Sequence, residues 1–275
     1  MNRSTKLITC ALTLCLLAAT ASAARAQSGA PSSAPSNTQA KPNTPPAAQP
    51  STPAAVVRAY YTALKEARVL DAIMLSILRP AVEALSAEEL KEFEPDFARL
   101  SASAPADFEI TGEQLSGEEA TVFVRTGDGK DIKVDPVNLI RERGVWVIGD
   151  REGAAEVKRQ GRKFFFEQRI ATHESEAEDM LKRIQAAQLA YALQNGGAFA
   201  DLGGLVRAGY VPQDVLGAET TGYRFTVTTS TDARSYAARA EPARHGRTGR
   251  LSFYVDNKSA IQKKDTGGKP LSPSK

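Results

Sequence analysis

The chain has 275 residues, with 35 Lys and Arg against 32 Asp and Glu, two cysteines, two histidines and one tryptophan. That length suits two modest domains, and so small a net charge lacks the electrostatic footprint of a protein built for nucleic acid or an anionic membrane. Two cysteines leave no room for a disulfide-dense framework.

Residues 1–26 read as a cleavable secretory signal. Arg3 and Lys6 precede an apolar run from Leu7 to Ala19, and small residues follow at Ala21-Ser22-Ala23 and Ala24-Arg25-Ala26. This is the order signal peptidase reads, and the run is shorter than the roughly 20 residues of a membrane-spanning helix. Cleavage removes three of the 35 basic side chains and no acid, leaving 32 of each sign. Cys10 and Cys15 leave with the segment, which excludes disulfides, a thiolate nucleophile and cysteine metal ligands from the mature protein. The expected location is periplasmic or secreted, with no stable membrane insertion after cleavage.

Residues 27–52 hold six prolines among Ser, Ala, Thr, Gln and Asn, with Lys41 the only charge. Such a composition cannot bury a core and is expected to form a disordered linker. Beyond it the charge divides: residues 51–150 carry 11 basic and 18 acidic side chains, and residues 151–275 carry 20 and 14.

The first module is expected over 53–150. Thr52-Pro53 caps a helix whose apolar stripe is Val56, Tyr60 and Leu64. A second helix carries Leu70, Ile73, Met74, Ile77 and Leu78 and stops at Pro80. Ser86 with Glu89 forms a capping box for a third, which Pro95 ends or kinks. From Asp107 the period changes to two. Strands are read at Phe108 and Ile110, Val122 and Val124, Ile132 and Val134, and Val145 and Val147, with turns at Ser116-Gly117, Gly127-Asp128-Gly129 and Arg143-Gly144.

This order, closing on Val137-Asn138-Leu139-Ile140 and Arg143-Gly144-Val145-Trp146-Val147-Ile148, resembles the nuclear transport factor 2-like (cystatin-like cone) superfamily. The resemblance implies helices closed under a curved sheet, a fold that hosts enzymes and binders alike. A pocket between helices and sheet would be lined by Tyr60, Phe93, Phe97 and Trp146, side chains that equally serve to fill a core.

Residues 151–163 are polar, with Lys158, Arg159, Arg162 and Lys163 close together, and read as a basic connector into Phe164-Phe165-Phe166. A long helix follows, carrying Ile170, Ala177, Leu181, Ile184, Gln188 and Tyr191 on one face, and Gly196-Gly197 stops it. Glu174, Glu176, Glu178 and Asp179 are expected to form its solvated side. Three strands are read at 223–229, 235–240 and 251–255, and residues 266–275 as a flexible tail.

The stretch 164–265 resembles the soluble part of type IV pilins and type II secretion pseudopilins. The resemblance rests on Glu174-Ser175-Glu176-Ala177, Leu181, Ile184, Ala187-Gln188 and Tyr191. It rests also on Gly222-Tyr223-Arg224-Phe225, Tyr236-Ala237-Ala238, Pro242, Gly246-Arg247-Thr248-Gly249, Ser252-Phe253-Tyr254 and Asp256. It implies a helix packed on an antiparallel sheet with no catalytic residues. One departure is plain: the family's apolar N-terminal helix is replaced by the charged stretch Arg151 to Phe166, which argues against membrane insertion and against filament packing through that helix.

The fold class read from these elements is α+β, in two modules that each pack helix on an antiparallel sheet. Among candidate chemistries, His173 and His245 lack metal-ligand spacing, and His173 reads as a solvated helical residue. Asp128-Gly129-Lys130-Asp131 reads as a hairpin turn rather than a calcium loop. Asp135, before Pro136, reads as a strand-end residue at a turn. Neither a phosphate loop nor a Gly-x-Ser-x-Gly elbow is present. The expectation is therefore no catalytic residues, no metal and no cofactor. The function expected is binding or scaffolding in the cell envelope, beside a pilus or secretion apparatus, with a protein partner and no nucleic acid. The competing expectation is a small-ligand or enzymatic role for the first module.

Overall fold

The computed structural model describes residues 50–127, 129–217 and 221–272. The signal segment, the linker up to residue 49 and Asp128 lie outside the described residues. The chain is α+β and divides into two compact units, the first ending at Gly161 and the second beginning at Arg162.

In the first unit, helix α1 (Pro53–Lys65) begins where the extended Thr52 accepts the Ala55 N–H on its hydroxyl at 3.2 Å. Its apolar stripe buries Val56, Val57, Ala63 and Leu64. Helices α2 (Val69–Met74), α3 (Arg79–Glu83), α4 (Ala87–Glu92) and α5 (Glu94–Ala102) follow. The capping box forms: Ser86 Oγ accepts the Glu89 N–H at 3.3 Å, and the Glu89 carboxylate accepts the Ser86 N–H at 3.0 Å. Two prolines stand at helix starts. Pro80 lies in the first turn of α3 and Pro95 in the first turn of α5, where a missing N–H costs no hydrogen bond. Pro80 therefore starts a helix instead of ending one, whereas at Pro95 the helical run does break, at Phe93, and resumes as α5.

The sheet of this unit is an antiparallel meander of β1 (Phe108–Ser116), β2 (Glu119–Thr126), β3 (Lys133–Glu142) and β4 (Val145–Ile148). Arg143 (φ 49°) and Gly144 (φ 84°) form the two-residue turn between β3 and β4, both with the positive φ that such a hairpin requires. Between α2 and α3, the Ile148 N–H donates to Leu75 O and the Ile77 N–H to Ile148 O, both at 2.9 Å. Leu75–Ile77 thereby runs along the edge of β4. The core unites Val56 and Val57 of α1 with Ala120, Val122, Val124, Leu139 and Trp146 of the sheet.

Strand β3 corrects the sequence reading. Ile132 precedes it and Val134 is 52% exposed, whereas Leu139 and Ile140 are buried. Asp135 is no turn residue, because it pairs with Val124 and Pro136 with Phe123 in an unbroken ladder. The proline is tolerated because β4 pairs only with Leu139–Glu142, leaving the neighbouring edge without a strand to receive an N–H. Residues Arg151–Gln160, read as a connector, form helix α6, capped by Asp150 whose carboxylate accepts the Gly153 N–H at 2.6 Å. Val157 is its buried apolar side chain, and α6 belongs to the first unit.

The second unit is organised on α7 (Lys163–Gln194), 32 residues long and therefore roughly 48 Å at 1.5 Å per residue. Gly196 and Gly197 take positive φ after its end, and the Gly197 N–H returns to Ala192 O at 2.8 Å. A short α8 (Leu202–Arg207) and a 3-10 turn at Gln213–Leu216 lead to a second meander of β5 (Tyr223–Thr229), β6 (Tyr236–Pro242), β7 (Leu251–Asp256) and β8 (Gln262–Asp265). Ala177, Leu181, Ile184 and Ala187 of α7 pack with Tyr223, Phe225, Ala238, Ala240, Phe253 and Val255 of the sheet. The described part of the segment read as a tail is anchored: Thr266 Oγ1 donates to Ser252 Oγ at 2.9 Å, and Arg239 Nε to Leu271 O at 3.3 Å. Among the described residues no helix is long and apolar enough to cross a membrane.

Candidate functional site

The four aromatic candidates of the first unit fall into separate places. Trp146, 8% exposed, sits in the core cluster with Val56, Val122 and Leu139, and the Arg141 guanidinium lies 5.8 Å from its ring centre. Phe93, between α4 and α5, is 2% exposed and its ring lies 6.0 Å from that of Phe97. Tyr60 meets Tyr61 edge to face at 5.6 Å, and Tyr61 in turn meets Phe108 at 5.1 Å. Phe97 alone of the four lines the groove found on this unit. That groove, about 470 Å³ and open to solvent, runs between α2 and α5. Val69 and Leu70 form one wall and Phe97, Ala98 and Ala102 the other, with Glu94 on the rim. Leu70 and Met74 of α2 are 42% and 37% exposed, so apolar surface continues along this helix.

In the second unit, two of the four acidic side chains of α7 that the sequence placed in solvent, Glu174 and Glu178, tie the helix to the sheet together with Glu167. Asp179 is exposed and pairs with Lys182 of the same helix. Glu167 accepts both guanidinium N–H groups of Arg250 at 2.7 and 2.8 Å. The hydrogen bonds from Arg250 hold the Glu167 carboxyl below its ordinary range, partly offset by burial. One oxygen of Glu174 accepts the backbone N–H of Arg250 at 2.8 Å and that of Leu251 at 3.1 Å, satisfying the start of β7. Glu178 accepts from Lys263 of β8 at 2.8 Å, and this bond lowers its pKa. Positions 167, 174 and 178 lie seven and four apart, one stripe of carboxylates along the helix.

His173 is a correction: it is 5% exposed, not solvated. Its Nδ1 lies 3.1 Å from Thr248 O, a hydrogen bond that places the proton on Nδ1. Thr248, in the loop between β6 and β7, lies against it, and glycines give the close approaches around it their room. A Cβ on Gly222, which has φ +67°, would stand 2.2 Å from His173 Nδ1, and one on Gly249 would stand 2.1 Å from the Tyr223 hydroxyl. That hydroxyl donates to Leu251 O at 2.8 Å, and burial raises its pKa above the ordinary tyrosine value. The Gly222-Tyr223 and Thr248-Gly249 elements, quoted above as sequence motifs, therefore meet around His173. Further along α7, the fully buried Gln188 donates from Nε2 to Ala200 O at 2.6 Å and accepts the Ala200 N–H at 3.0 Å.

His245 lies elsewhere, its Nε2 2.8 Å from Asp265 Oδ1 at the end of β8. Among the described residues no group of three or more His, Cys, Asp or Glu is placed to hold a metal ion. Comparison with protein-family models, with curated proteins and with solved structures finds no match to this chain.

Proposed function

We propose that this chain is an exported, non-enzymatic binding or scaffolding protein of the cell envelope, working beside a pilus or secretion apparatus. One observation supports it above others: the buried histidine is engaged with a backbone carbonyl, walled by glycine, and serves to hold a loop on a helix. Gln188 and Glu174 likewise satisfy main-chain groups. The apolar groove between α2 and α5 is the surface this reading assigns to the partner. Affinity isolation of the tagged protein from envelope extracts tests it. A defined partner recovered with the parent and lost with Leu70→Glu supports the reading, and an inert monomer under every condition counts against it.

The groove also favours a second reading, in which the first unit carries a small apolar ligand. Its volume falls within the roughly 300–1,000 Å³ typical of small-molecule sites. Native mass spectrometry separates the two. A small molecule that co-purifies at stoichiometric mass, and is lost in Leu70→Glu, favours the ligand.

A further inference from the structure

Each sheet has two edge strands, and an edge presents unpaired N–H and C=O groups that natural proteins cover or disrupt. Three of the four edges here carry such a device. Leu75–Ile77 hydrogen-bonds along β4. β1 has an irregularity between Ile110 and Gly112 and exposes Glu109 and Glu113. β8 is four residues long and carries Lys263 and Lys264.

β5 has no such bulge, lysine or hydrogen-bonded segment over Phe225–Thr229, although α8 and the 3-10 turn lie against the strand and the Thr221 hydroxyl bonds both the N–H and the C=O of Tyr223. The strand runs for seven residues, Tyr-Arg-Phe-Thr-Val-Thr-Thr, without proline or bulge and with Arg224 its only charge. The Ser230 N–H donates to Ser235 O at 2.9 Å, which fixes the alternation of the hairpin: the main-chain groups of Arg224, Thr226 and Thr228 point to β6. Those of Phe225, Val227 and Thr229 point to the open edge. Among the described residues they meet no hydrogen-bond partner. Thr226, Thr228 and Thr229 are exposed, while the Phe225 and Val227 side chains belong to the core.

We propose that β5 is the surface through which a second copy of this chain associates, its β5 adding antiparallel across a twofold axis at Thr226. Phe225 of each copy then exchanges N–H and C=O with Val227 of the other, giving four main-chain hydrogen bonds. The two meanders become one eight-stranded sheet with Phe225 and Val227 on its apolar face. The charge pattern selects this occupant: Thr226 faces its own counterpart and Arg224 faces Thr228, so no like charges oppose. The same operation on β8 would set Lys263 against Lys264.

Sedimentation or light scattering of the purified protein over a concentration series is the test, with Thr226→Glu as the variant. The carboxylate introduced in each copy would confront its twin across the axis, while within its own chain it faces Arg239 on β6, which preserves the fold. The expected result is a parent whose mass doubles as concentration rises and a Thr226→Glu variant whose dissociation constant is at least about tenfold higher at an unchanged melting temperature. Mixing Thr226→Glu with Thr226→Lys is expected to restore the dimer. A parent that stays monomeric at every concentration overturns the proposal, as does a dimer that Thr226→Glu leaves intact.

Discussion

Arg250, the residue before β7, and Glu167 of α7 form a two-pronged ion pair, at 2.8 and 2.7 Å, that joins residues 83 apart in the chain. Both side chains are about two-fifths exposed, so solvent screens the pair and its contribution is near the upper end for surface pairs, about 1 kcal/mol. The Glu167 carboxyl is depressed in the folded state, so its stabilisation is present above the ordinary carboxylate range and is lost as pH falls through it to the folded value. Melting curves from neutral to acid pH should show Glu167→Gln less stable at pH 7, with the gap to the parent closing as the pH falls.

Gly222 and Gly246 separate steric from conformational cost. Both have positive φ, but a Cβ at Gly222 collides with the His173 ring and one at Gly246 meets nothing within 4 Å. Gly222→Ala should cost about 3 kcal/mol or more and Gly246→Ala about 1 kcal/mol in urea denaturation.

Gln188 is replaceable by shape but not by chemistry. Gln188→Leu leaves the buried N–H and C=O of Ala200 without their partner, so a loss of about 2–4 kcal/mol is expected despite the added apolar surface. Equal costs for Gln188→Leu and an exposed control such as Gln194→Leu, by denaturant midpoint, would remove this role.

Glu241 of β6 is 7% exposed, and burial raises its pKa against the opposing pull of Arg239 and Arg224. The folded state therefore holds this proton more tightly than the unfolded chain. The favourable contribution is full below the ordinary carboxylate range and is lost as pH rises through the raised value. Glu241→Gln should gain about 1 kcal/mol relative to the parent at pH 7 and little near pH 4, read from stability curves at the two pH values.

Much of this architecture was legible because it rests on apolar period. Strands β5 and β7 lie within a residue of the sequence reading, since Tyr223, Phe225 and Val227 alternate and Phe253 and Val255 flank a buried Tyr254. β8 was missed because Gln-Lys-Lys-Asp has no apolar alternation; pairing with β7 and the Lys263 bond to Glu178 hold it. α6 was missed because its one fully buried apolar side chain, Val157, makes no stripe; Asp150 capping Gly153 was the available signal. His173 stands three residues after Ile170 and four before Ala177, the same spacing that assigned its neighbours to the core. Its polarity obscured that position, and the loop that lies against it arrives from 75 residues away. The groove between α2 and α5 was not legible, since it depends on how two short helices beginning at unrelated caps converge.

Photo-crosslinking in cells, with a reactive residue in place of Leu70, addresses the binding role most directly. A single crosslinked species of defined mass in the envelope fraction, absent when Met74 is also changed to Glu, is the expected result. Crosslinks no different from those made by a reactive residue at exposed Leu115 of β1 would contradict a binding function for this groove.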